Sequence, residues 1–387
     1  SKMQVVISGA GIAGLSLALR LHQRGLAPIV LERSPTLRAG GYMLGLSDPG
    51  YDAAERMQIA DALKAVQYLP RRLVYVTSEG RARFALEGRA LDILVGERQV
   101  NLMRGDIERV LFDRVRDHVD IRFGRSLADM EHTDAKVLAT LDDGSPLEAD
   151  VVVGADGLHS KTRALVFGPE EGFIRFLGAR VAAFIFDRSA LPDIQPYETF
   201  SLTEVGRATG VAAIRDERLV AFFIYQCGRE RRFDTVEAEL RHTFAGSDWR
   251  IPELIGCLSR AESVYFDEVA LVKTPRWSQG RVVLLGDAAS AASLIAGKGA
   301  TLAMAGAVIL GDALSGTADL TAALGAYEAR VRPWAEAAQA TARRNRALFT
   351  PKNRIQLVLR EQALRLASSS LFAHLAKRIL NRPGERL

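Results

Sequence analysis

Apolar and polar positions alternate with several periods along this chain. A β-branched run at 3–8 gives way to helical apolar spacing at 15–24. A second short strand, Ile29-Val30-Leu31, follows. Residues 50–63 read as one helix. Segments 72–77 and 82–86 alternate in period two around Glu79-Gly80, which predicts a hairpin. A helix over 103–115 carries Ile107, Val110, Leu111 and Val115 on one face. Strands are expected near 119–123, 136–141 and 149–153, with Asp142-Asp143-Gly144 as the turn between two of them. Beyond 173 the texture changes. Long β-type runs at 174–186, 197–203, 207–214 and 218–226, separated by polar turns, predict an antiparallel sheet of its own. Helices near 234–245 and 252–259, strands at 264–272 and 281–285, and alanine-rich helices at 301–314 and 322–348 complete the pattern.

The junctions between these elements carry the chemistry. Gly9-Ala10-Gly11-Ile12-Ala13-Gly14 joins the first strand to the first helix. Gly9 permits the turn, Gly11 lets backbone approach a pyrophosphate, and Gly14 lets helix pack on strand. The amides of Ile12 and Ala13 then face the phosphates at the positive end of a helix. Glu32 ends the second strand, 18 residues after Gly14. A carboxylate there accepts ribose hydroxyls and repels a 2′-phosphate, which favours FAD or NAD over NADP. A second junction is Gly154-Ala155-Asp156-Gly157-Leu158-His159-Ser160 with Arg163. A third is Gly286-Asp287-Ala288-Ala289, followed by Gly297-Lys298-Gly299-Ala300 at a helix start. Asp156 and Asp287 suit helix capping as well as cofactor hydroxyls. Gly297 and Gly299 leave room beside a flat ring, and the helix after them would stabilise a reduced, negatively charged one. Lys298 could add to that or face solvent. Gly40-Gly41 marks another close backbone approach. Taken in this order, the three junctions narrow the dinucleotide to FAD and point to an enzyme.

The expected fold is α/β: a Rossmann-type FAD-binding domain, a mixed or antiparallel β-sheet substrate domain, and C-terminal helices. The first comprises 1–71, 98–170 and 271–350, the second 72–97 and 171–270, and a basic segment closes the chain at 351–387.

Composition adds limits. With 387 residues, 48% hydrophobic and 25% charged, the chain is ordinary globular material with room for two or three domains. No apolar run reaches membrane-spanning length. A strand begins within a few residues of the start, so no signal peptide is expected. Cys227 and Cys257 lack metal-ligand spacing and read as free thiols of a reducing cytoplasm; no metal is expected. The net charge of +5 is local: residues 343–387 hold eleven Lys or Arg against two Glu, leaving about −4 elsewhere. That pattern argues against a nucleic-acid groove. Ile355, Val358, Leu359, Leu366, Phe372, Leu375 and Ile379 form an apolar stripe there. It is expected to dock on the body with the basic face solvated; contact with an anionic membrane is the less favoured reading.

These motifs, over roughly residues 3–335, resemble the class A flavoprotein monooxygenases, the aromatic hydroxylases of the para-hydroxybenzoate hydroxylase type. Gly9, Gly11, Gly14, Glu32-Arg33, Arg104, the Gly154-Ala-Asp-Gly segment and Trp277 through Ala289 carry the likeness. It implies FAD as cofactor and NADPH or NADH as transient donor. It also implies transfer of one oxygen of O2, through a flavin C4a-hydroperoxide, to an aromatic or polyketide-like small molecule. Arg33 and Arg104 would then serve FAD, Arg104 at its phosphates, Asp287 at its ribityl or pyrophosphate region, and Asp156 both FAD and the pyridine nucleotide. Because the cofactor makes the bonds, no catalytic side chain is assigned, and no histidine receives a role. Phe184, Phe223 and Tyr225 on strand faces, Met43 after the paired glycines, and Leu294 are the candidate pocket residues. Ser290, Leu294 and Thr301 depart from the family's usual His, Pro and Asn. A FAD-dependent reductase or dehydrogenase, or a non-catalytic flavin-binding protein, are the alternatives. A monomer or homodimer is expected.

Overall fold

The computed structural model describes residues 2–38, 40–88, 91, 98–316, 318–368 and 386–387. Two sheets organise it. The first has six strands in the order Ser278–Gln279, Val282–Leu284, Val151–Gly154, Val5–Ser8, Ile29–Glu32 and Asp120–Phe123, parallel except for the first pair. Its central strands are fully buried apolar runs, as a sheet covered on both faces requires. Register matters for function. Ser8 pairs with Gly154, and Gly154 with Leu284, so three junctions distant in sequence leave the sheet along one edge. The carboxyl ends of parallel strands are where such sheets bind ligands. Helices Ile12–Gln23 and Gly299–Ser315 pack on this sheet, and their buried residues share its main core.

The second sheet has seven strands in the order Ser263–Val272, Ile174–Asp187, Arg218–Gln226, Arg207–Ile214, Glu198–Glu204, Arg72–Val76 and Ala82–Glu87. It is mixed, because Glu198–Glu204 and Arg72–Val76 run parallel while the other neighbours are antiparallel. Both faces are apolar. One packs Ala182, Phe184, Phe186, Phe223 and Tyr225 against Leu240, Phe244, Ile251 and Leu254 of the region holding helices Val236–Thr243 and Ile251–Gly256. The other presents Val181, Ile224 and Val269 to Ile295, with Phe222, Tyr265 and Leu294 beside them.

Three expectations are corrected. The single helix over 50–63 is two, Gly50–Arg56 and Ala60–Ala65, with Gln58 between them at φ 59°. The glycine-rich stretch after 38 contains a strand, Met43–Leu46, paired antiparallel with Val100–Met103. On helix Arg354–Ala367 the apolar stripe faces outward: Ile355 is 71% exposed and Leu359 64%. The opposite side carries the contacts. Arg360 and Arg365 lie over the rings of Tyr75 and Phe84, and Glu361 meets Arg83. Phe372, Leu375 and Ile379 lie outside the described residues, as do most of residues 89–97.

Candidate cofactor and substrate site

Along the shared strand edge runs an elongated cleft, partly open to solvent. Gly9, Gly11, Ile12, Ala13, Glu32, Arg33, Arg104, Asp156, Asp287, Gly299 and Ala300 all line it. The first turn is built for close approach. Gly9 has φ 112°, and a Cβ there would stand 2.3 Å from the Ala155 carbonyl oxygen. At Gly14 a Cβ would stand 1.8 Å from the Gly9 carbonyl oxygen, so only glycine lets this helix meet the turn. Glu32 accepts from the Ala10 amide at 2.9 Å and the Ser34 amide at 2.8 Å. Each carboxylate oxygen has acceptor capacity left, and Glu32 lines the cleft, which fits a ribose.

Arg104 opens helix Arg104–Val115 and is held from both sides. Its Nε donates to Glu108 at 3.1 Å, and its backbone amide donates to the Tyr42 carbonyl at 3.0 Å. Gly41 packs directly against its side chain. Burial opposes the guanidinium charge, but Glu108 and the neighbouring tyrosines and Asp287 outweigh it and move the group upward, so it stays cationic. Burial raises Asp287, and Arg104 pulls it back.

The second and third junctions are tied to each other. Arg163, fully buried, donates to the Ala288 carbonyl at 3.0 Å and the Leu158 carbonyl at 2.8 Å. Asp156 reaches the cleft wall, but its oxygens accept from Ser160 Oγ at 2.5 Å and from Thr162 amide and hydroxyl at 2.9 Å each. Its observed role is to secure the start of helix Lys161–Val166. Gly286, at φ 66°, starts the short helix Asp287–Ser290 beside Ala13. Lys298 points neither into the cleft nor simply to solvent: its Nζ donates to Ser47 Oγ at 2.8 Å.

A second pocket continues from the first through Tyr42, Leu44, Asp287 and Gly299. Met43, Leu294 and Gly297 line it, together with Tyr265, Val269, Ala291 and Ser293. Phe184, Phe223 and Tyr225 do not. They are sealed in the core on the far face of the seven-stranded sheet, so the expectation for these three is corrected. The adjacent residues, Phe222 and Ile224, are the ones on the pocket side.

Two features had no counterpart in the sequence reading. Tyr42 and Tyr265 pack with ring centroids 4.7 Å apart and their planes tilted by 53° at the junction of the two pockets, and burial raises both phenols. His159, on the cleft wall, bridges Glu170 at 2.7 Å and Asp267 at 2.9 Å, joining the second junction to strand Ser263–Val272 of the other sheet. The Asp267 hydrogen bond, against burial and helped by Glu170, pushes its pKa up to about 9. The signal available for it was its place inside the Gly154–Ser160 segment.

These residues fit FAD: a turn that admits backbone to a pyrophosphate, a ribose carboxylate, a half-buried arginine, and a helix N-terminus beside a flat pocket. The chain matches the family model described as FAD binding domain over residues 2–342 and belongs to that family. An uncharacterized protein of Mycobacterium tuberculosis is 31% identical over 323 residues, covering 81% of this chain and 86% of that one. A FAD-dependent monooxygenase of Sarocladium schorii is 30% identical, covering 80% and 75%. Among solved structures, the Klebsiella pneumoniae HpxO complex with FAD and uric acid superposes with a TM-score of 0.77 at 26% identity, covering 94% and 92%. The tetracycline destructase Tet(51) shares the fold, with a TM-score of 0.81 at 24% identity, covering 99% of each chain. Within the family this chain is a FAD-dependent monooxygenase of the class A hydroxylase type.

Proposed function

We propose that this monooxygenase takes two electrons from NADH or NADPH and inserts one atom of O2 into an aromatic or polyketide-like small molecule, the other atom leaving as water. The substrate lies between the seven-stranded sheet and the flavin ring. One observation carries this reading: the cofactor cleft and the apolar pocket meet at Tyr42, Leu44, Asp287 and Gly299. The redox chemistry with O2 is what bound FAD supplies. The chain's own residues bind, orient and protect. Gly9 through Ala13 would cradle the pyrophosphate, with Arg104 supplying charge, Glu32 the ribose contact and Asp287 a ribityl contact. The first turn of helix Gly299–Ser315 would stabilise negative charge at the ring edge. Leu44, Val269, Ala291 and Leu294 keep water from the reacting face.

The two sheets support dividing the chain into a FAD-binding part, 1–71, 98–170 and 271–350, and a substrate part, 72–97 and 171–270. Among the described residues no helix is long and apolar enough to cross a membrane. A cytoplasmic enzyme acting as monomer or homodimer fits this chemistry. The test is turnover of the holoenzyme with a phenol panel and isotopically labelled dioxygen. One labelled atom per product is expected. Substrate oxidation with no label incorporated would instead indicate a FAD-dependent reductase or dehydrogenase.

A further inference from the structure

The pocket facing the ring edge has an unusual charge inventory for a site of its size. Its described lining includes Leu44, Val269, Ala291 and Leu294 as apolar walls, with Tyr42 and Tyr265 as neutral polar groups. Among the described lining residues there is no Lys, Arg or His. The carboxylates present favour no anion. Asp287 lines the pocket with its own negative charge, and Glu268 is engaged by Arg229 at 3.2 Å. Nearby cations are committed elsewhere: Arg104 to Glu108, His159 to Glu170 and Asp267, and Lys298 to Ser47. An anion placed here would lose its hydration beside Asp287 and meet no cationic side chain, the positive start of helix Gly299–Ser315 being taken up by the ring edge.

Neutral hydrogen-bonding capacity is present. Neither the Tyr42 nor the Tyr265 hydroxyl has a hydrogen-bond partner among the described residues. Both rings line the pocket, and burial keeps both phenols protonated. Each can donate to, or accept from, a hydroxyl or carbonyl on a ring seated against Leu294.

We propose that the substrate is an uncharged, electron-rich ring bearing a hydroxyl or carbonyl, held by Tyr42 and Tyr265, and that carboxylated aromatics are excluded. This rests on the reading of the pocket as the substrate site. Tyr265 is a specificity residue within it.

The experiment compares binding of 2-naphthol and 3-hydroxy-2-naphthoate, which differ by one carboxylate, to the oxidised holoenzyme. Perturbation of the flavin spectrum is the readout, and no turnover is needed. At neutral pH 2-naphthol should bind, with the carboxylate at least roughly 100-fold weaker. Leu294→Arg should narrow or reverse that ratio; Met43→Arg, at a more exposed lining position, serves if the first variant loses FAD. Tyr265→Phe should weaken 2-naphthol while leaving naphthalene unchanged. Equal or tighter binding of the carboxylate by the wild type, or no binding of 2-naphthol, overturns the proposal. A preserved binding preference without oxygen insertion would instead sink the monooxygenase mechanism and leave this inference standing.

Discussion

His159→Gln tests whether the link between the two sheets is electrostatic. The imidazole holds Glu170 through Nδ1 and Asp267 through Nε2, and it is 47% exposed. Asp267 first, then Glu170, raise its pKa from 6.5 to about 9. Undamped, that displacement corresponds to roughly 3.4 kcal/mol. Solvent screens a half-exposed group, so a contribution of about 1 kcal/mol is expected. Because the folded-state value is the higher one, the stabilisation is complete below pH 6.5 and fades as pH rises through about 9. Urea unfolding of the wild type and of His159→Gln at pH 6, 7.5 and about 9.5 measures it. The wild type should lead by about 1 kcal/mol at pH 6 and by clearly less at pH 7.5, and the curves should converge at the highest value. Parallel stabilities across the whole range would refute the argument, since a purely steric role for the ring carries no pH dependence.

Four further outcomes follow from the geometry. Gly14→Ala places a methyl group 1.8 Å from the Gly9 carbonyl oxygen; a loss of about 3 kcal/mol, with loss of FAD, is expected by thermal unfolding and flavin absorbance. Arg104→Met should weaken FAD roughly 10- to 100-fold by equilibrium titration; adding Glu108→Gln should restore stability without restoring affinity, because Glu108 is then no longer a buried, unpaired charge. Arg180 and Glu239, both buried, meet at 3.0 Å: Arg180→Met should cost about 3–5 kcal/mol, and Arg180→Met with Glu239→Leu much less, in chemical denaturation. Leu359→Glu, on the outward stripe, should move stability by no more than about 0.5 kcal/mol; a larger loss in a thermal melt would show that this face is covered.

Much of the nucleotide-binding framework was legible because its constraints are local. Glycine is favoured at position 9 by its own φ of 112° and forced at position 14 by the Gly9 carbonyl five positions away. The spacing to Glu32 follows from one helix and one strand. Less legible was what holds the three junctions to one another. Arg163 reaches across 125 positions to the Ala288 carbonyl, and His159 across 108 to Asp267. No periodicity encodes a contact of that length; a buried arginine and an unassigned histidine in a glycine-rich turn were the only marks it left. Lys298 shows the same limit, since its partner, Ser47, lies 251 positions away.

The choice between Phe223 and Phe222 shows why a strand can be read correctly and its function misassigned. Strand Arg218–Gln226 is apolar on both sides, because one face meets helices and the other meets the ring pocket. Alternation then separates two sets of residues without saying which set faces the chemistry. Bulk favoured Phe184, Phe223 and Tyr225, and bulk is what a helix-covered core uses. The deciding information lies in cross-strand register. Ala183 pairs with Phe222 on one side and Tyr265 on the other, while Val181 pairs with Ile224 and Asp267. Since Asp267 meets His159 on the cleft wall, its parity fixes the whole row toward the cofactor. A Phe222→Ala variant should therefore alter ring-ligand affinity with only a modest change in stability, whereas Phe223→Ala should cost about 3–5 kcal/mol and leave affinity per folded molecule unchanged. Ligand titration alongside chemical denaturation separates the two, and the opposite pattern would mean that the parity assignment is wrong.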